Sequence, residues 1–209
     1  MKSPRWEYLG KIDNHMTHYR KQYGVLANMY KRQTKQALLK MVPMSGKTVV
    51  EIGCGNGFLG EIANELGIKI TYGTDFTRSL LKYAKSKYKN VKYADVEKRL
   101  PFKNNSIDVI LLPEVIAHLK NRKKALFEMN RILKKGGYLI ISMPDKKYLD
   151  MINYAKIIIK GSSIRKPKQY FEPMYFNELE TLITSNGFNV IKHYKTFHQS
   201  RQILLAQKI

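Results

Sequence analysis

The stretch VVEIGCGNGFLG, Val49 to Gly60, decides how the chain is read. Its second half, GNGFLG, spells G-x-G-x-x-G through Gly55, Gly57 and Gly60, the pattern of a loop that cradles a dinucleotide pyrophosphate. Its first half sets an acid, Glu51, two residues before Gly53. The halves ask for opposite ligands. A pyrophosphate wants helix-terminal amides and no neighbouring carboxylate, because like charges repel strongly in a partly desolvated pocket. A cation wants the acid.

Upstream, the run from Trp6 to Val42 carries Tyr19, Tyr23, Leu26, Tyr30, Ala37, Leu38 and Met41 at helical spacings with basic residues between, which predicts a basic amphipathic preface. Pro43 and Gly46 in PMSGK end it. Downstream, strand-like and helix-like segments alternate: TVVEIG, GFLGEIANELG, KITYGTD, TRSLLKYAKSKY, VKYADV, then IDVILLP, RKKALFEMNRILKK and GYLIISMP. That alternation predicts an α/β fold with a mostly parallel sheet covered on both faces. NELETLITSNGF reads as a helix stopped by Gly187, and NVIKHYKTF and RQILLAQKI read as two closing strands. KIIIKGSSIRKPK, residues 156–168, reads as a loop or lid. The expected division is a helical cap over 1–45 and a single domain over 46–209, with a substrate-side insertion at 146–176.

Composition narrows the classes. With 209 residues, 44% of them hydrophobic, the chain can bury one substantial core. No run approaches the roughly 18 apolar residues of a membrane span, and no secretory signal is read. A single cysteine excludes a disulfide framework, so a cytoplasmic setting is expected; the mixed apolar and basic segment after GYLIISMP leaves a peripheral place at a membrane surface as the alternative. Against 16 acids stand 38 Lys and Arg, a formal charge of +22. Such a surface attracts anionic partners, or is simply a solvated basic face.

Ligands of open parallel sheets bind beyond the carboxyl ends of the strands. This chain places Glu51, Asp75, Asp95 and Glu114 at four successive strand ends, which points to a cationic, hydroxyl-rich ligand. S-adenosylmethionine fits: it has no phosphate, and it carries a sulfonium, an ammonium, a ribose diol and an adenine edge. The glycines let backbone approach it closely. Asp75, 18 residues beyond Gly57, can accept both ribose hydroxyls, and Asp95 can accept from the adenine amino group.

Taken in order, VVEIGCGNG, TYGTD with Phe76 after it, YADVEKRLPF, IDVILLPEVIAHL, RILKKGGYLIIS and ELETLITSNGF resemble the class I S-adenosylmethionine-dependent methyltransferases. The likeness runs over roughly Met44 to Met143 and more loosely to the C-terminus. DVEKRLPFKNNSIDVI is similar to the small-molecule branch that includes quinone and sugar methyltransferases. The resemblance implies a Rossmann-like three-layer sandwich whose seven-stranded sheet is mostly parallel, with an antiparallel last strand. It also implies site roles. Gly53, Gly55 and Gly57, with Cys54 between them, would line the methionine portion, and Glu51 would hold the loop and the amino end. Asp75 would bind the ribose and Phe76 would pack on the adenine, whose edge Asp95 and the Val96 backbone would read. Leu112 would offer its carbonyl to the amino group. Two positions depart from the family: Ile107, where an aromatic is usual, and Pro113, where a small polar residue is common.

Methyl transfer needs in-line positioning and, for a hydroxyl or acidic carbon, a base. His118 in EVIAHL is the expected base, since related enzymes place a working histidine there; the alternative is a histidine that only packs or bonds backbone. Asp145 could orient it or serve as a helix cap. Tyr19 and Tyr23 could touch the cofactor carboxylate or form a core stripe. Cys54 is read as a small packing residue. His15, His18, His193 and His198 lack a third ligand, so no metal is expected. The acceptor is expected to be a small anionic or amphiphilic molecule, with RNA as the alternative and a silent partner subunit as a further one. The oligomeric state is not readable from the sequence.

Overall fold

The computed structural model describes residues 24–160, 172–196 and 200–209. Seven strands form one sheet: β1 (Val49–Ile52), β2 (Tyr72–Asp75), β3 (Asn90–Tyr93), β4 (Ile107–Pro113), β5 (Leu133–Pro144), β6 (Phe188–Thr196) and β7 (Arg201–Lys208). The helices among the described residues are α1 (Gly24–Leu39), α2 (Phe58–Glu65), α3 (Arg78–Ala84), α4 (Arg122–Ile132), α5 (Lys146–Lys160) and α6 (Phe176–Thr184), with a 3-10 turn at Ile116–His118.

Strand order is β3-β2-β1-β4-β5-β7-β6. β1 to β5 run parallel, and β7 inserts antiparallel between β5 and β6. From β1 the chain builds outward to β3, then returns to the other side of β1 for β4. Between β1 and β4 the direction of winding reverses, and that is where such sheets open a ligand crevice.

Both faces of the sheet are covered, so β1 and β4 are almost wholly apolar rather than alternating. On one face Val50, Ile110, Leu112, Ile141 and Leu204 pack under Leu126 and Met129 of α4 and Leu179 and Ile183 of α6. On the other Val49, Val109, Leu111, Ile140 and Ile203 pack under Leu38 and Leu39 of α1 and Leu59 and Ile62 of α2. The three layers are thus joined by the sheet's own alternation. α2 shows how local pattern produces this: Leu59, Ile62 and Ala63 bury one stripe of a helix that starts from Gly57.

The LPF turn before β4 is latched to α4. Glu128 accepts the Leu100 N–H at 2.9 Å and pairs with Arg131 at 2.8 Å, while Arg131 also donates to the carbonyls of Leu100 and Phe102. Asn121 caps α4 by accepting the Lys124 N–H at 3.0 Å.

Several boundaries differ from the sequence expectation; the helix expected over TRSLLKYAKSKY ends at Ala84, and the strand expected over KITYGTD begins only at Tyr72. Leu133 and the two lysines after it belong to β5 rather than to the preceding helix, because Leu133 pairs with Ile107 across a register shift that Gly136, at φ +72°, accommodates. Residues 156–160 are helical, as the end of α5, rather than loop. β3 is only four residues long and leaves Ala94 to Val96 outside the strand. The rest of the expected lid, residues 161–171, and Tyr19 and Tyr23 of the preface lie outside the described residues. Among those described, no helix is long and apolar enough to cross a membrane.

Candidate active site

Beyond Ile52 the chain must turn sharply from strand into helix. Gly53, Gly55 and Gly57 take φ of +78°, +53° and +87°, a left-handed region that glycine enters without steric cost. At Gly53 a Cβ would also stand 2.3 Å from Cγ2 of Val115, so the loop and the segment after β4 touch there. The N–H groups of Gly53 and Cys54 donate to the Thr74 carbonyl at 2.7 and 2.9 Å, stitching the loop to β2. Asp75 completes the seam: its Oδ2 accepts the Gly55 N–H at 2.8 Å and its Oδ1 the Thr77 N–H at 2.7 Å. Each carboxylate oxygen retains further acceptor capacity.

Glu51 is 1% exposed, and its Oε2 accepts a 2.6 Å hydrogen bond from the Tyr88 hydroxyl. Burial pushes its carboxyl up to about 7, opposed by the charge of Lys35 on α1 and by the Tyr88 bond, and reinforced by Asp75. Cys54 is buried, and desolvation together with the charges of Glu51 and Asp75 drives its thiol far up, which leaves it a packing residue rather than a nucleophile.

Around the adenine-side expectation, Phe76 is half-buried at the turn after β2, and Val96 is buried in the core and presents only backbone. Asp95 is half-buried, and its Oδ1 accepts the Glu97 N–H at 3.0 Å. β4 outruns β1: its last partner there is Leu111, opposite Glu51, while Leu112 and Pro113 pair only with β5. Their β1-facing edge therefore borders the glycine loop. Pro113 ends the strand, and Glu114 takes φ +61°, a conformation that costs a non-glycine residue on the order of 1–3 kcal/mol and concentrates at functional sites. It is held there by its N–H on the Ser142 carbonyl at 2.8 Å, by Ser142 Oγ at 3.3 Å and by Arg201 Nε at 3.2 Å.

His118 closes the 3-10 turn and is exposed. That turn is braced by Arg122 on the Ile116 carbonyl and by the Glu172 N–H on the Ala117 carbonyl, which ties it to the far end of the insertion. Asp145 does not reach toward it. Buried at 3% exposure, it accepts the Tyr148 N–H at 3.0 Å at the start of α5 and pairs with Lys195 at 3.1 Å, so it is the helix cap. His193 stacks on Phe176 with ring centroids 3.8 Å apart. Among the described residues no three His, Cys, Asp or Glu side chains cluster as metal ligands would, and His15, His18 and His198 lie outside them.

Carboxylates at these strand ends stand in two electrostatic states. Glu114 and Asp145 are each ion-paired. Glu51 and Asp75 form no ion pair within the described residues; Asp75 accepts from the loop amide of Gly55 and Glu51 from the Tyr88 hydroxyl. A site built so takes a ligand that brings positive charge and hydroxyl donors.

A family profile described as a methyltransferase domain matches residues 50–141, the span from β1 into β5. Residues 50–141 thus carry a methyltransferase domain, on the fold of the class I S-adenosylmethionine-dependent methyltransferases. A ubiquinone/menaquinone biosynthesis C-methyltransferase of Campylobacter jejuni is 28% identical to this methyltransferase over 120 residues, 54% of this chain and 51% of the relative. The chain thus spans about half the length of that relative. Among solved structures, a methyltransferase of Thermotoga maritima described as a possible histamine N-methyltransferase superposes with a TM-score of 0.70 at 24% identity, covering 94% of this chain and 97% of that one. The magnesium protoporphyrin IX methyltransferase of Synechocystis, solved with bound S-adenosylhomocysteine, gives 0.70 at 17% identity, over 94% and 95%. Both likenesses are of fold. The donor set of this methyltransferase fits S-adenosylmethionine: two carboxylates that form no ion pair among the described residues stand beside a loop whose three glycines take left-handed backbone.

Sequence reasoning missed Tyr88, Lys35 and the Glu114–Arg201 pair. Gly73, a glycine inside β2, was a usable signal for the first, since such a residue often marks the close approach of another group. The other two arise from elements distant in sequence and had no local signal.

Proposed function

We propose that the chain moves the methyl group of S-adenosylmethionine to an oxygen, nitrogen or carbon of a small anionic or amphiphilic acceptor. The observation that carries the cofactor assignment is the pair of carboxylates beside the glycine loop, Glu51 before it and Asp75 bonded to it, that form no ion pair among the described residues. In this reading Gly53, Cys54, Gly55 and Gly57 supply backbone along the methionine chain. Glu51 and the Leu112 carbonyl take the ammonium, and Asp75 takes the ribose diol. Phe76 covers the adenine, whose edge falls to Asp95 and the Val96 backbone. The cofactor supplies an electrophilic methyl on a sulfonium, so the protein's part is alignment of the acceptor and removal of its proton. His118 is the base in this proposal, on a turn rooted in the core by Ile116 and Ala117.

The acceptor class is supported by the rim beside β5 and β7. Lys146 brings positive charge there, 4.3 Å over the Tyr175 ring, beside the Arg201 and Lys195 cations that pair with Glu114 and Asp145, while Met151 and Tyr154 on α5 are exposed. Cations among apolar and aromatic surface suit a molecule with an acidic group on a hydrophobic body. The name of the Campylobacter relative, a quinone-biosynthesis enzyme, agrees with that class.

The net charge of +22 favours a second reading, an RNA acceptor. Incubation with methyl-labelled S-adenosylmethionine and fractionated cell extract separates them. Label in lipid or small metabolites is the expected result; label in RNA, with binding that weakens steeply with salt, would replace the small-molecule reading. Cofactor binding with no transfer to any fraction would leave a silent partner subunit.

A further inference from the structure

Tyr88 lies in the short connection between α3 and β3, and its ring fills a slot made by glycines of β2, of α2 and of the loop between β1 and α2. A Cβ at Gly73 in β2 would stand 2.8 Å from its Cδ2, one at Gly60 in α2 2.6 Å from its Cζ, and one at Gly57 3.2 Å from its Cε2. No larger residue fits at these positions without moving the ring. The same connection also straps the loop from outside, with Lys87 Nζ on the Asn56 carbonyl at 3.2 Å and on Glu61 at 2.9 Å.

So placed, the Tyr88 hydroxyl accepts the Gly60 N–H at 3.2 Å and donates its one proton to Glu51 Oε2 at 2.6 Å. A bond this short is in the range of charge-assisted hydrogen bonds. Oε1 of Glu51 has no hydrogen-bond partner among the described residues. We propose that Tyr88 is the positioning residue for the cationic end of the cofactor: by holding Oε2 it leaves Oε1 to the ligand and couples cofactor binding to the loss of one proton from Glu51.

The groups facing Glu51 give this coupling its sign. Lys35 from α1 and the Tyr88 hydroxyl favour its charged form, while burial and the charge of Asp75 from β2 oppose it. Cys54 from the loop stays neutral and adds no charge. With the balance near pH 7, a good part of the free protein carries a neutral Glu51, and a bound ammonium draws it to the carboxylate. Affinity for such a ligand therefore rises as pH climbs toward 7.

The inference rests on the cofactor assignment and is independent of the acceptor. Calorimetric titration with S-adenosylhomocysteine between pH 5.5 and 7.5, in two buffers of different ionisation heat, tests it. Binding should tighten by roughly tenfold across the range, with proton release at the acid end. Tyr88→Phe keeps the ring in its slot; it should weaken binding at pH 7 by roughly tenfold and move the midpoint to higher pH. Glu51→Gln should flatten the profile, and Tyr88→Phe added to it should weaken binding no further. An unmoved midpoint in Tyr88→Phe, or an equal loss in the Glu51→Gln background, would overturn the proposal, since a role confined to packing predicts both. If Tyr88→Phe fails to fold, flat wild-type affinity with buffer-independent heat overturns it alone. No binding at any pH would remove the cofactor assignment and the proposal with it.

Discussion

At the ends of β1 and β2, Glu51 and Asp75 meet a phenol and backbone amides; beyond β4 and β5, Glu114 and Asp145 meet Arg201 and Lys195. The first pair is thus left electrically open within a rigid seam of glycines, while the second is neutralised on the spot by side chains that reach in from β6 and β7. The contrast separates two tasks on one rim. A cofactor common to many enzymes can be met by a fixed site whose charge complements it before binding. The acceptor side instead needs a wall that stays together without its ligand, and ion pairs between elements provide it.

Breaking the open half should have the largest effect. Asp75→Ala removes the acceptor of the Gly55 and Thr77 amides as well as the ribose ligand, and should weaken S-adenosylhomocysteine binding by about 100-fold or more in calorimetry. His118→Ala tests the boundary between the halves: binding should be unchanged while single-turnover transfer slows by roughly 100-fold. Unchanged turnover would exclude it as the base.

Gly60→Ala should destabilise the fold by about 1–3 kcal/mol in urea, because its Cβ meets the Tyr88 ring and the Lys87 carbonyl, at 2.6 and 2.9 Å. It should weaken cofactor binding too, through the displaced hydroxyl. Arg201→Ala, in the neutralised half, should leave cofactor affinity within about twofold and raise the acceptor KM, since it lies on the other side of Glu114.

The smallest effect concerns pH and stability without ligand. Glu51 has a raised affinity for its proton in the folded state, so between about 4.5 and about 7 the native form binds more proton than the unfolded form. Stability from this group is accordingly greatest below that window and falls as pH rises through it. Glu51→Gln should remove that component from the pH dependence of Tm, and saturating S-adenosylhomocysteine should oppose it in the wild type.

Much of this was legible in the sequence because it is written in local pattern. IDVILLP is β4 residue for residue, and each of the four acids falls at or just beyond a strand end. The seven-stranded sheet with its antiparallel last strand came from family likeness, and the order of its strands from the structure alone, since periodicity does not reveal it. Where pattern and pairing compete, pairing wins: Leu133 to Lys135 continue a helical rhythm but are drawn into β5 by Ile107. In the sequence Gly60 is only the last glycine of GNGFLG. Only the packed structure shows that Tyr88, 28 residues away, requires its bareness and ties it to Glu51.

The opening ambiguity of GNGFLG can be put to one direct test: calorimetry of the wild-type protein at pH 7.5 with S-adenosylhomocysteine and, separately, with NAD. Saturable heat with the former and none with the latter is the predicted result. Saturable binding of NAD, or no heat with S-adenosylhomocysteine, would contradict the claim that Glu51 and Asp75 make this glycine loop a site for a cationic cofactor.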